Sequence, residues 1–99
     1  MSKAFTKKVF DWLHQVNRNK GMHKFDAAVA LELTDYFNED AENGRAWPSY
    51  RTIGNAIHVP EKSVRRSIER LIALGHLHVV KGRQGRGYSN QYWMILKPS

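Results

Sequence analysis

The sequence predicts one mainly α-helical domain of 99 residues that ends in a small β hairpin. Three observations lead to this fold class. Apolar residues recur at helical spacing in four segments before Gly75. After Gly75 the pattern changes to strand-like alternation, and a basic, glycine-rich stretch separates two short apolar runs. The chain has no cysteine, so a hydrophobic core without disulfides must stabilise it.

The first helix is predicted to begin after Ser2, whose hydroxyl can cap it, and to fray near residues 19–21. We therefore divide the single domain, residues 1–99, into an N-terminal helix over 1–21 and a core over 22–99. The predicted apolar stripe of the first helix consists of Phe5, Val9, Leu13 and Val16, with Phe10 and Trp12 on its flanks.

A second helix is predicted over about residues 24–37. Its apolar positions are broad enough to indicate burial on more than one side. They are Phe25, Val29, Leu33 and Phe37, widened by Ala28, Leu31 and Tyr36. The dipeptide Asn43-Gly44 then predicts a turn.

Two helices separated by a tight turn come next. The third is predicted over about residues 49–57 and the fourth over 61–74, where Gly75 supplies a left-handed stop. Two helices joined in this way form a helix-turn-helix unit. We expect His58 to carry the left-handed turn residue, and Pro60 to begin the fourth helix without a side-chain cap.

The net charge of +7 is concentrated in the second half of the chain. Residues 45–99 hold ten lysines and arginines against two acids, whereas residues 1–44 hold six against seven. A basic excess confined to particular elements favours a polyanionic partner over a merely solvated surface.

The fourth helix is predicted to place basic side chains opposite its core positions Val64, Ile68 and Leu71. At about 100° per residue, this outward face holds Lys62, Ser63, Arg66 and Arg70, with Arg65 on a flank beside Glu69. A helix with such a face suits the major groove of DNA. Arg66 is the candidate for bidentate guanine contact, and Arg70 is expected to meet phosphate.

The hairpin is predicted from Leu77 and Val79 in the first strand and residues 91–97 in the second. The connecting loop carries Lys81, Arg83 and Arg86 among glycines. We expect Arg83 and Arg86 to reach a neighbouring minor groove or phosphate.

These segments resemble the winged helix-turn-helix domains of bacterial, phage and plasmid regulators and replication proteins. The resemblance covers about residues 25–96 and rests on residues 46–49, 52–66, 68–71, 74–77 and 87–92. It implies an α+β winged helix-turn-helix fold with an extra N-terminal helix, and DNA binding as its function. Transcription regulators and replication initiators share these motifs.

Sequence-specific binding of double-stranded DNA, in transcription regulation, is therefore the predicted function. The alternatives are an origin-binding replication protein of a phage or plasmid and a winged-helix protein-interaction module. The predicted DNA-binding residues are Ser49, Arg51, Lys62, Ser63, Arg65, Arg66, Arg70, Lys81, Arg83 and Arg86.

No enzymatic activity, cofactor or metal is predicted. His76 and His78 have no third ligand at a suitable spacing, and the acidic residues at 35–42 are typical of a solvated helix end. With neither a long apolar run nor a secretory signal, the expected location is the cytoplasm, away from membranes.

The last strand has apolar side chains on both faces, with Trp93 on the opposite side from Tyr92 and Met94. One face should meet the helical core, and the other needs a different cover. Either the first helix or a second copy could supply it. We expect a homodimer that uses the N-terminal helix and the Trp93 face.

Overall fold

The computed structural model describes residues 2–41, 44–82 and 90–97. Four helices precede a two-stranded antiparallel hairpin. In chain order the elements are α1 (Lys3–Arg18), α2 (Asp26–Thr34), α3 (Tyr50–Ile57), α4 (Glu61–Ala73), β1 (Leu77–Val80) and β2 (Gln91–Met94). This confirms the predicted mainly α fold class with its extra N-terminal helix.

Helix α1 begins where the sequence predicts, because the Ser2 hydroxyl accepts a hydrogen bond from the Phe5 N–H at 3.1 Å. Its buried residues differ slightly from the predicted stripe. Trp12 is fully buried, while Leu13 is only half-buried. The Trp12 ring meets Phe37 edge-on at 5.4 Å, and its indole N–H donates to the His76 carbonyl at 2.8 Å. One side chain thus ties α1 both to the segment after α2 and to the turn before β1.

Helix α2 is shorter at both ends than predicted. At its start, the Asp26 carboxylate accepts the His23 N–H and the Asp26 N–H donates to the His23 carbonyl, a turn that leaves Phe25 38% exposed. At its end, the N–H groups of Asp35 and Tyr36 donate three residues back, which tightens the last turn. Leu31 is 60% exposed, so the predicted burial on more than one side is wrong at that position.

The turn between α3 and α4 depends on two unusual backbone positions. His58 adopts the predicted left-handed conformation, with φ 57° and ψ 43°. The N–H groups of His58 and Val59 both donate to the Gly54 carbonyl and so close the C-terminal end of α3. A Cβ at Gly54 would lie 2.5 Å from the Val59 carbonyl oxygen, so only glycine permits a turn this tight.

Pro60 is the N-cap of helix α4 and makes no side-chain capping bond, as predicted. The chain leaves the helix at the predicted glycine, one residue after the C-cap Leu74. Gly75 has φ 81°, its N–H donates to the Ile72 carbonyl, and the His76 N–H donates to the Leu71 carbonyl. The chain is thereby reversed directly into β1.

The hairpin presents one face to the helices. Leu77 pairs with Met94 and Val79 with Tyr92 on the inner face, whereas His78 pairs with Trp93 on the outer face. Ala46 bridges Tyr92 from the other side of β2, which adds a third, strand-like segment to the sheet. β2 ends at Met94 rather than at residue 97, because the last hydrogen bond across the hairpin runs from the Ile95 N–H to the His76 carbonyl and Gly75 turns the opposite chain away.

The core forms where α1, α2, α3, α4 and the inner hairpin face meet. Its fully buried apolar members include Trp12, Val29, Leu33, Ile53, Val64, Ile68, Leu71 and Tyr92. Within the described ranges, no helix is both long and apolar enough to cross a membrane.

Relief of the left-handed strain at His58 should stabilise the domain. We expect His58→Gly to raise the free energy of unfolding by about 0.5–1 kcal/mol, because glycine adopts this conformation without a Cβ clash but loses more backbone entropy on folding. Urea denaturation measures the change. Ala56→Gly, an exposed position within α3, is the matched control and should lower stability by about 1 kcal/mol. Destabilisation by both variants would contradict the strain at residue 58.

Candidate nucleic-acid interface

Helix α4 presents one continuous exposed stripe to solvent. The core side of the helix consists of Val64, Ser67, Ile68 and Leu71. The exposed side consists of Glu61, Lys62, Arg65, Arg66, Glu69, Ile72 and Ala73. Three cations of this stripe lie in the first two turns of the helix, so its N-terminal half is the strongly basic part.

An ion pair between α4 and α2 sets which side of α4 faces outward. The Arg70 Nε lies 2.6 Å from Asp26 Oδ2, and a second guanidinium nitrogen lies 3.2 Å from Oδ1. Asp26 is fully buried, whereas the Arg70 side chain keeps 30% of its surface exposed. This fork-to-fork geometry is the strongest form of the arginine–carboxylate interaction.

The Asp26 carboxylate is held in its charged form. Burial raises its pKa, but hydrogen bonds from Arg70, from the Ser67 hydroxyl and from the His23 N–H outweigh burial and leave the pKa below its usual value of 3.8. A buried carboxylate is tolerated only when its lone pairs are filled in this way. Asp26 therefore acts as an internal anchor for α4.

Two of the four residues predicted on the outward face of α4 lie at its edge instead. Ser63 is half-buried, and Arg70 points to Asp26 instead of solvent, so these two residues form the edge of the packed side. Periodicity placed Val64 at the centre of the core face, but Asp26 widens that face toward Ser67 and Arg70. The Arg70 guanidinium, which we expect to meet phosphate, already pairs with Asp26 through two of its nitrogens, and its contact with DNA stays a prediction.

The remaining cations of α4 differ in how they are engaged. Arg65 pairs with Glu69 one turn further along at 3.1 Å, as its predicted flank position implied, and both side chains are more than half exposed. Among the described residues, Lys62 and Arg66 have no ion-pair or hydrogen-bond partner. Lys62 and Arg66 are therefore the cations of the stripe that remain available to an external anion.

A groove of about 630 Å³ lies between the N-terminal half of α4 and the base of the hairpin loop. Asn90 helps to shape it, because its side-chain oxygen accepts the Gly82 N–H at 2.9 Å and so joins the two ends of the loop. Burial and the nearby Glu69 carboxylate raise the pKa of the Tyr50 hydroxyl, which stays protonated as a hydrogen-bond donor. The groove is lined by Tyr50, Glu61, Lys62, Arg65, Lys81, Gly82 and Asn90.

The start of α3 contributes two predicted residues. Ser49 is the N-cap of this helix, and its hydroxyl oxygen accepts the Thr52 N–H at 3.0 Å. Arg51, two residues later, is exposed. Ser49 therefore has a defined structural role, whereas Arg51 projects from the first turn of α3.

The structure thus brings together Lys62, Arg65 and Lys81 around the groove, with Arg66 on the adjoining stripe. Arg83 and Arg86 lie outside the described residues. Sequence reasoning missed Tyr50 and Asn90. The available signal was their position, since Asn90 immediately precedes β2 and Tyr50 immediately follows the helix cap.

Comparison with known proteins gives one match to this region. A family model described as a helix-turn-helix domain matches residues 26–77, which is just over half of the chain. The match begins at Asp26 and ends at Leu77, the first residue of β1, so it includes both partners of the ion pair that orients α4. No curated protein and no solved structure matches the chain.

Removal of the Arg70 guanidinium tests its role as a partner of Asp26. We expect Arg70→Met to lower the free energy of unfolding by about 2–4 kcal/mol, because it leaves a buried carboxylate without its cation. In the wild type, the contribution of Asp26 is present above the unfolded pKa near 3.8 and is lost as pH falls through the lower folded pKa. The stability difference between the variant and the wild type should therefore be largest at neutral pH and shrink as pH falls toward and below 3.8, as measured by urea denaturation at several pH values with circular dichroism.

Arg66→Met is the matched control on the same helix. It has no partner to lose, so it should change stability by no more than about 0.5 kcal/mol. Equal destabilisation by the two variants would contradict the assignment of Arg70 to the packed side of α4.

Proposed function

Because the chain belongs to the helix-turn-helix domain family, which it matches over residues 26–77, we propose that it binds double-stranded DNA sequence-specifically and regulates transcription. A helix-turn-helix domain indicates DNA binding. The observation that carries the finer proposal is the exposed basic stripe of α4, the second helix of the unit. The second helix of such a unit is the one that enters the major groove.

Each basic residue of the interface has a proposed role that follows from its position. Arg66, on the exposed stripe without a protein partner, is suited to bidentate contact with guanine O6 and N7. Lys62 and Arg65 line the groove together with Lys81, and we assign all three to phosphate oxygens. Ser63 is half-buried beside this stripe, and we assign its short side chain to a contact with DNA at the edge of the stripe.

The first turn of α3 offers a second phosphate contact. Arg51 is exposed there, and the N–H groups at the start of a helix attract anions. Ser49 caps that turn, so its proposed contribution is to orient these N–H groups as well as to contact the backbone of DNA. Arg83 and Arg86 belong to the proposal through their charge in the sequence alone.

Two alternative functions can be compared with this proposal. A replication protein that binds an origin would use the same duplex contacts as a transcription regulator, and the basic stripe is compatible with both. A protein-interaction module is disfavoured, since a surface with so many cations attracts a polyanion.

A homodimer through α1 and the Trp93 face stays a prediction, as does location in the cytoplasm. Phe10 on α1 is 57% exposed and could contribute to such a contact. The Trp93 ring lies 5.5 Å from His78 on the outer face of the hairpin. Dimerisation would supply a second copy of α4, which would bind the second DNA half-site that helix-turn-helix dimers commonly use.

Truncation of Arg66 tests sequence-specific readout. We expect Arg66→Ala to weaken binding to a selected duplex site by about 1–3 kcal/mol and to relax base preference at one position, because a bidentate guanine contact is lost. Fluorescence anisotropy with the selected site and with single-base variants of that site measures both effects. Lys3→Ala, which removes one exposed charge at the start of α1, is the control and should leave base preference unchanged. Intact preference in Arg66→Ala would show that another residue reads the bases.

A further inference from the structure

A second basic groove, of about 800 Å³, lies between α1 and the segment that follows β2. We propose that this groove binds a small multivalent anion bearing phosphate or carboxylate groups, and that the ligand acts on the C-terminal end of α4. The residues that carry this inference are Lys7, Gln15, Arg18, Asn19, His76 and Lys97.

Three side-chain acceptor atoms of the groove already bond protein donors. The Gln15 side-chain oxygen accepts the Lys97 N–H at 2.7 Å, and the Asn19 side-chain oxygen accepts the Gly21 N–H at 2.8 Å. Asp11 Oδ2 lies 2.6 Å from the Lys7 ammonium. The groove therefore offers few free acceptors to a cation or to a ligand rich in hydrogen-bond donors.

The donors of the groove, in contrast, exceed their partners. The oxygens of Gln15 and Asn19 are fixed as described above, so the amide nitrogens of both side chains face the His76 ring, each at 2.8 Å. His76 is 1% exposed, and burial together with Lys97 lowers its pKa. The Gln15 amide also donates an N–H to the Ile95 carbonyl at 2.8 Å. A neutral imidazole accepts a hydrogen bond at only one nitrogen, so it cannot satisfy both amides, and the amide that lacks this acceptor keeps an N–H group for another one.

The cations add to this surplus of donors. The Arg18 Nε donates to the His14 carbonyl, which leaves the two terminal nitrogens of the guanidinium without a described partner. Lys7, Arg18 and Lys97 against Asp11 give the groove an excess of two positive charges. Spare N–H donors and a positive excess are complementary to the oxygens of a multivalent anion.

The groove is separate from the proposed DNA interface. It lies against the turn that follows α4, whereas the groove lined by Lys62 and Lys81 lies at the start of α4. A helix of 13 residues is about 20 Å long, so the two sites are about one helix length apart. We therefore assign the second groove to a small ligand rather than to the same DNA contact.

Two contacts connect this groove to the end of α4. The Lys97 ammonium donates to the Leu74 carbonyl at 2.7 Å, where a cation favours the helix C-terminus. The backbone of His76 donates to Leu71 and accepts from the Trp12 indole. An anion that draws Lys97 away from Leu74 would alter the last turn of α4. Any effect on DNA affinity rests on the proposed function, but binding of the anion does not.

Nuclear magnetic resonance titration of the whole chain with sodium pyrophosphate, and separately with sodium citrate, tests the proposal. Sodium chloride at matched ionic strength is the reference. We expect saturable binding with a dissociation constant below about 1 mM for at least one of the two anions. The side-chain amide signals of Gln15 and Asn19 and the backbone signals of Leu74 and Gly75 should shift together. Preference for pyrophosphate or for citrate would distinguish a phosphate-bearing ligand from a carboxylate-bearing one.

Arg18→Gln should raise the dissociation constant of the more tightly bound anion about tenfold, which is the effect of losing one charge-assisted hydrogen bond. The exposed Lys3→Gln, also on α1, is the matched control and should bind like the wild type. The absence of saturable shifts would overturn the proposal, as would shifts confined to Lys62, Arg66 and Lys81.

Discussion

The buried ion pair between Asp26 and Arg70 is the contact on which the orientation of α4 depends. A charged carboxylate with no exposed surface is costly unless every lone pair is matched, and here Arg70, Ser67 and the His23 N–H supply the donors. Both Ser67 and Arg70 lie on one side of α4, so that side must face α2. The exposed stripe with Lys62 and Arg66 follows from this rotation, since α4 cannot turn without separating the charges.

The turn between α3 and α4 sets the second constraint, which is the position of α4 along the surface. Gly54 leaves room for the Val59 carbonyl, and His58 accepts a left-handed backbone to close the turn in few residues. The hairpin follows the C-terminal end of α4 through Gly75. The bridge between Ala46 and Tyr92 also joins it to the segment that precedes α3. The base of the hairpin loop therefore comes beside the N-terminal half of α4, and the basic groove is a consequence of chain connectivity as much as of charge.

Features encoded locally could be predicted from the sequence, and features that depend on distant residues could not. The cap at Ser2, the left-handed residue at His58 and the stop at Gly75 each depend on a few neighbouring residues, and the structure confirms all three. The partner of Arg70 lies 44 residues away, so helical periodicity could not find it. The same holds for the groove, because Asn90 and Lys81 come beside Tyr50 and α4 only after the hairpin folds back. The full burial of Trp12 likewise depends on His76, 64 residues later.

The claim that the exposed stripe of α4 binds DNA is tested most directly by the salt dependence of affinity for random duplex DNA. The wild type would be compared with a variant that combines Lys62→Gln, Arg65→Gln and Arg66→Gln, all at exposed positions. Because Lys62 and Arg65 are assigned to phosphates and Arg66 to a base, the logarithmic slope of affinity against salt should become shallower by about 1.8 in the variant, or about 0.9 for each phosphate contact. An unchanged slope, or a wild type that does not bind at low salt, would contradict the DNA-binding role assigned to this face.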